Sequence, residues 1–188
     1  LPSPCPPGLP PLWVVAPYEG STRHLLLAFK ERGSTGVSGA LSVPLATAVR
    51  AAMRGVSGRV LLVPVPSSPV AIRARGDDVI GLLAARTARL LRASAVDCRS
   101  VSVLAQCRPV ADSAGLSAAM RAENLRHALA VRPGRDERVR GAAVVLVDDL
   151  VTTGATVCEA HRGLRAGGAN VLGAAAVAAT MRRDTAWS

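Results

Sequence analysis

Three unbroken apolar runs constrain the fold of this chain more than any other feature: RVLLVPVP at 59–66, the GAAVVLV that opens GAAVVLVDD at 141–149, and NVLGAAAVAA at 170–179. A strand with one face in water alternates apolar and polar residues, whereas a strand covered on both faces reads as continuous apolar sequence. Helical recurrence separates these runs. Leu25, Leu26, Ala28 and Phe29 share a face between Ser21 and Arg32, with Gly33 as the stop, and residues 41–54, Val79–Leu91 and Ala155–Ala166 read as further helices. LWVVAPY (12–18) and AVDCRSVSVL (95–104) add two strands. Residues 105–116 lack periodicity and read as a loop, SAAMRAENLRHAL (117–129) as a short helix. The alternation predicts an α/β fold with a central, mainly parallel sheet flanked by helices. The two prolines that end 59–66 are expected to fall outside any central ladder.

With 188 residues the chain is sized for one domain, and at 49% hydrophobic but 2% aromatic residues its core must be built from Ala, Val and Leu. The longest apolar stretch, Val171–Ala179, is strand-length, well short of the roughly 18 residues of a spanning helix, so no membrane insertion is expected. The Pro-rich opening LPSPCPPGLPP has neither a basic nor an apolar leader pattern, which predicts a cytoplasmic protein. Cys5, Cys98, Cys107 and Cys158 are scattered without C-x-x-C spacing and read as reduced thiols. The net charge of +10 is almost all arginine, Lys30 being the one lysine, and favours polyanionic partners.

The chemistry concentrates in VVLVDDLVTTGATV, residues 144–157. A strand runs into Asp148 and Asp149, and a turn over Thr152, Thr153, Gly154, Ala155 and Thr156 opens the next helix. The first amides of a helix have no internal partners and its dipole places about half a positive charge there, which suits a phosphate. The carboxylates suit sugar hydroxyls, or the outer shell of a Mg²⁺ ion. Together they fit a ribose 5-phosphate. A capped helix beside solvated aspartates is the structural alternative. A receiver-domain acid pocket is excluded, because its paired acids belong to the first strand.

This string resembles the phosphoribosyl pyrophosphate (PRPP) signature of type I phosphoribosyltransferases. The resemblance implies that Asp148 and Asp149 are the catalytic-site carboxylates holding the ribose 2- and 3-hydroxyls, and that Thr152–Thr156 cradle the 5-phosphate. YEGSTRHLLLAFKERG, LLVPVPSSPVAIRARGDD and GLSAAMRAENLRHAL occur in the order seen in the ComF family of competence-associated phosphoribosyltransferase-like proteins, over roughly residues 17–180. By that likeness Pro64, Val65, Pro66, Ser67 and Ser68 resemble the pyrophosphate loop. Arg73, Arg75 and Gly76 resemble its R-x-R-G element, and Arg121 and Asn124 its R-x-x-N element. Residues 104–116 align with the loop that closes over the reacting bond. The chain departs from the family at Asp78, where Asn is common, and at Ser113, where Gln is common. Of the cysteine cluster that often opens family members, only Cys5 is here. The implied organisation is a lead-in over 1–16 and a single phosphoribosyltransferase-like domain over 17–188, with 17–58 as hood and first helices. The implied ligands are PRPP or a ribose 5-phosphate compound with Mg²⁺, no protein side chain serving as a direct metal ligand.

Two function classes follow. One is phosphoribosyl transfer or release at ribose C1, for which no acceptor base is specified before residue 60. The other is a non-catalytic competence accessory that binds single-stranded DNA or a DNA-uptake partner protein. Arg132, Arg135, Arg138 and Arg140, beside Pro133–Gly134, read as an exposed hairpin or loop and are the best local candidates for nucleic acid, without aromatics for stacking. Lys30 and Arg32 read first as a solvated helix end and otherwise as contacts to pyrophosphate. His24, His127 and His161 share no motif. Either class is compatible with an oligomer.

Overall fold

The apolar runs lie side by side. The computed structural model describes residues 6–32, 35–111 and 115–180. In chain order the elements are β1 (Leu12–Pro17), α1 (Gly20–Arg32), α2 (Thr35–Ala52), β2 (Val60–Pro64), α3 (Pro69–Arg75), α4 (Val79–Ala93), β3 (Cys98–Ser100) and β4 (Leu104–Gln106). They continue with α5 (Ala118–Leu125), β5 (Leu129–Val131), α6 (Asp136–Val139), β6 (Ala143–Val151), α7 (Ala155–Ala166) and β7 (Asn170–Ala179). Five strands form one sheet in the order β1-β7-β6-β2-β3, parallel throughout. The mainly parallel α/β architecture expected of the sequence is the one observed.

Both sheet faces are covered, which is why the strands are apolar without alternation. Val145, Val147, Leu62 and Ala175 face α1, α2 and α4, around Leu26, Phe29, Leu45 and Leu83. Val144, Leu146, Val63 and Ala174 face α7, around Val157, Ala160 and Leu164. Ala-rich β7 lets neighbours come close. At Gly173 a Cβ would lie 2.5 Å from the Pro11 carbonyl oxygen, and Leu172 is the extra residue of a bulge where Val144 pairs Val171 but Val145 pairs Gly173. Among the described residues no helix is long and apolar enough to cross a membrane.

The sheet order sets the site. After β2 the chain moves outward to β3 through α3 and α4; after β6 it moves the other way to β7 through α7, on the opposite face. Right-handed crossovers require opposite faces for opposite directions. The carboxyl ends of β2 and β6, adjacent strands, therefore diverge into a crevice at the switch point.

Several local expectations need correction. Pro64 is paired in an inner strand, in register with Val147. Val60 N bonds Asp97 O and Val101 N bonds Leu62 O, so the even-numbered residues of β2 turn their backbone toward β3, while Val65 N bonds Val147 O on the other side. The missing N–H of Pro64 thus faces β3 beyond its last bond, where nothing requires it. α2 begins at Thr35, six residues before the expected 41, and carries Pro44 inside it; its buried stripe of Leu41, Leu45, Ala48 and Val49 outweighs the proline. The expected strand 95–104 is broken into β3 and β4. β4, which straddles the end of the expected strand and the start of the expected loop, pairs antiparallel with β5, which begins at the last residue of the expected 117–129 helix. The arginine segment is a turn followed by α6, pinned by buried Val139, rather than a hairpin or plain loop. β6 runs on to Val151, so Asp148 and Asp149 sit within the strand rather than at its end. Cys5, Gly33 and Ser113 lie outside the described residues, as do the side chains of Arg32 and Arg75.

Candidate functional site

A cavity of about 300 Å³ opens at the switch point, lined by Lys30, the 65–68 loop, Asp148, Asp149, Leu150 and Thr156. Three separated stretches of sequence meet there: the end of α1, the loop after β2, and the β6–α7 junction. Val65–Ser68 line it together with Asp148, Asp149, Leu150 and Thr156 of the 148–156 stretch.

The β6–α7 junction is built by Gly154, whose φ of 78° and ψ of −5° are left-handed. A side chain there would be strained, and its absence leaves the helix start without a side-chain cap. The first helical bond runs from Cys158 N to Gly154 O at 2.9 Å. Ahead of it, the amide of Ala155 meets the Thr153 hydroxyl at 3.4 Å, a weak contact. By contrast, α3, α4 and α5 carry side-chain caps, from Ser68 to Ala71 N, Asp78 to Gly81 N, and Ser117 to Met120 N. The amides that open α7 therefore have little internal satisfaction, and Thr156 of this helix start lines the cavity.

Strand alternation sends Asp148 to the face of Leu146 and Asp149 to that of Val147. Asp149 is buried at 3% exposure, and its Oδ2 lies 3.2 Å from Lys30 Nζ while accepting no hydrogen bond among the described residues. Asp148 Oδ1 accepts from Asp149 N at 2.9 Å. Burial and then the Asp149 charge push the Asp148 carboxyl well above its ordinary range, against the opposing pull of that hydrogen bond and of Lys30. Two adjacent carboxylates thus share one ammonium. Lys30 reaches into the site instead of ending a helix in solvent.

The other expected residues are more dispersed. Arg73 is exposed on α3, toward a neighbouring cavity, and Gly76 closes that helix at φ 82°. Arg121 and Asn124 sit on α5 and line neither cavity. Asn124 accepts from Ala111 N (3.1 Å) and donates to Ala111 O (2.9 Å), clipping the 107–111 segment to α5. Arg108 donates to the carbonyls of Asn124 and Arg126, both at 3.0 Å.

The sequence reading missed the clamp between α7 and the β4–β5 ribbon. Glu159, 7% exposed, accepts from Leu129 N (3.1 Å) and from Arg162 Nε (2.9 Å) and Nη2 (2.7 Å); Arg162 also donates to Leu129 O at 2.8 Å. Burial alone would raise the Glu159 carboxyl, but the Arg162 and Leu129 hydrogen bonds and the Arg162 charge hold it below the usual range. At Gly163 a Cβ would lie 2.7 Å from Leu129 O, so the ribbon packs directly on helix backbone. The available signal was a lone acid at position 159 on the apolar face of α7, three residues before an arginine.

A parallel doubly wound sheet, with an uncapped helix start and a carboxylate pair near its switch point, defines an α/β protein with a cleft at the carboxyl ends of its inner strands. The phosphoribosyl transferase domain model matches residues 83–188, more than half of the chain, and the chain belongs to that family. No curated protein matches it.

Proposed function

We propose that this is a ComF-family, type I phosphoribosyltransferase-like protein of the cytoplasm, with residues 17–188 as its working domain. It binds PRPP, or a related ribose 5-phosphate compound, in the cleft between β2 and β6. The observation that supports this reading is that Thr156, from the helix start that Gly154 opens, lines one cavity with Asp148 and Asp149. The opening amides of α7, with the hydroxyls of Thr152, Thr153 and Thr156, receive the 5-phosphate. Asp148 and Asp149 accept hydrogen bonds from the ribose hydroxyls, and the Pro64–Ser68 loop lies against the pyrophosphate.

Mg²⁺ suits the hard oxygen donors of the pair, but the Lys30 ammonium 3.2 Å from Asp149 Oδ2 opposes direct ligation by that atom. The carboxylates therefore fit an ion held through its waters. When bound with PRPP, Mg²⁺ supplies charge neutralisation of the leaving pyrophosphate. The protein positions the ribose and stabilises charge near C1, so displacement there by a ring nitrogen or water requires no side-chain nucleophile.

A second reading, a competence accessory that binds single-stranded DNA or a DNA-uptake protein, is favoured by one observation. Arg132, Arg135, Arg138 and Arg140 are exposed around α6 and form no ion pair among the described residues. Calorimetric titration of PRPP, with and without Mg²⁺, tests the first reading. Saturable Mg²⁺-dependent binding is expected, weakened at least tenfold by Asp148→Asn with Asp149→Asn. The same affinity in that double variant would overturn the site assignment.

A further inference from the structure

The Pro64–Ser68 loop has a cavity on each of its sides. The second, of about 310 Å³, lies between α3, the β3–β4 connection and the ribbon, and Pro66 and Ser67 line both. It is large enough for a compact organic ligand. Its walls are unlike those of the carboxylate cleft. Pro64, Pro69, Ile72 and Leu104 present flat or branched apolar surface. Two guanidiniums, Arg73 from α3 and Arg132 from the end of the ribbon, also line it; both are exposed and neither has a carboxylate partner among the described residues. Arg132 Nε makes one long bond, 3.4 Å, to Leu104 O.

Two further side chains supply acceptors. Asp78 caps α4 by accepting from Gly81 N at 3.1 Å and still borders the cavity. Gln106 donates one N–H of its amide to Arg108 O at 2.8 Å, which orients the group and leaves the amide oxygen as acceptor. A guanidinium recognises a planar anionic group through two parallel N–H bonds. Apolar walls exclude a ligand that is charged throughout, such as a polyphosphate, because its charges would lose hydration without replacement. The Asp78 carboxylate disfavours a second anionic end and favours an N–H or O–H donor.

We propose that this second cavity is a binding site for a small ring acid, a flat apolar body bearing one carboxylate and one N–H or O–H donor. The site is separate from the Asp148–Asp149 cleft, and the assignment stands independently of what that cleft binds. The loop they share makes the two occupancies neighbours.

Titration of the full chain with 4-aminobenzoate, 4-aminobenzamide and inorganic phosphate, by calorimetry and ligand-observed NMR, tests it. Saturable binding of the acid is expected, with the neutral amide and inorganic phosphate each at least tenfold weaker. Arg73→Met with Arg132→Met should weaken the acid at least tenfold at unchanged melting temperature, while Asp148→Asn with Asp149→Asn should leave it within twofold. Failure of the acid to saturate, or equal binding of the amide, overturns the proposal without any variant. So does phosphate binding as tightly as the acid. Acid binding that survives loss of both arginines, or that disappears with the two aspartates, places the ligand elsewhere and overturns it too.

Discussion

Removing either member of the Lys30–Asp149 pair should have unequal consequences. The side chains are 39% and 5% exposed, 3.2 Å apart. At an effective dielectric of about 20, that separation corresponds to an attraction of about 5 kcal/mol before desolvation and screening. Lys30 is open enough for water to reduce this strongly. Asp149 is not: Lys30→Met leaves a carboxylate that water hardly reaches, with Asp148 adjacent. Losing one partner of a fully buried pair costs about 3–5 kcal/mol; for this half-open pair we expect about 2 kcal/mol. In a chain of this length that lowers the melting temperature by about 4–8 °C. Asp149→Asn instead frees an ammonium that rehydrates and relieves the repulsion from Asp148, so it should cost less than about 1 kcal/mol. The double variant should resemble Asp149→Asn alone, with coupling of about 2 kcal/mol between the sites. Thermal and urea unfolding of all four proteins, followed by circular dichroism, reads the cycle. Additive single costs, or Asp149→Asn at least as damaging as Lys30→Met, would refute the reasoning.

Three other outcomes are expected. Because the folded-state carboxyl of Asp148 is raised above its ordinary value of 3.8, its contribution is most favourable below that value and is lost as pH rises through the folded value; Asp148→Asn should therefore raise the melting temperature at neutral pH, with the gain vanishing toward pH 3. Glu159 is held low, so the stability it provides is present above its ordinary value of 4.5 and lost as pH falls through the folded value; Glu159→Gln should cost about 1.5–3 kcal/mol at neutral pH and speed hydrogen exchange at Leu104–Gln106 and Leu129–Val131. If Arg135, Arg138 and Arg140 contact single-stranded DNA, affinity should fall with salt at a log–log slope of roughly −0.7 per phosphate neutralised, and replacing all three should flatten it; filter binding across a salt series gives the slope.

The long elements were legible because each repeats one simple constraint. α7 and β7 match their expected bounds, since Gly167–Gly168 ends one and an unbroken apolar run spells the other. The short ribbon strands were not legible: LAQ and LAV, three residues each, carry no period, and only their mutual pairing makes them strands. The aspartate pair and the glycine turn were legible because strand, turn and helix are contiguous there. Lys30 was legible only as a solvated helix end or a pyrophosphate contact; its pairing with Asp149 was not, since that partner lies over a hundred residues away and is met only where the end of α1 comes to the end of β6.

The helix that opens on the cleft also carries the ribbon on its flank, and this has a consequence for engineering. α7, 12 residues long, spans about 18 Å. Its contacts with the ribbon fall on Leu129 and Ala130, through Glu159, Arg162 and Gly163. The chain between the ribbon strands is closed at its base by Cys107 N bonding Ala128 O at 2.8 Å, and α5 within it buries none of its residues. The stretch between those two residues, 108 to 127, is therefore a cassette. Its length and composition are open to exchange for another segment while the ribbon register, the helix axis and the opening amides of α7 stay where they are.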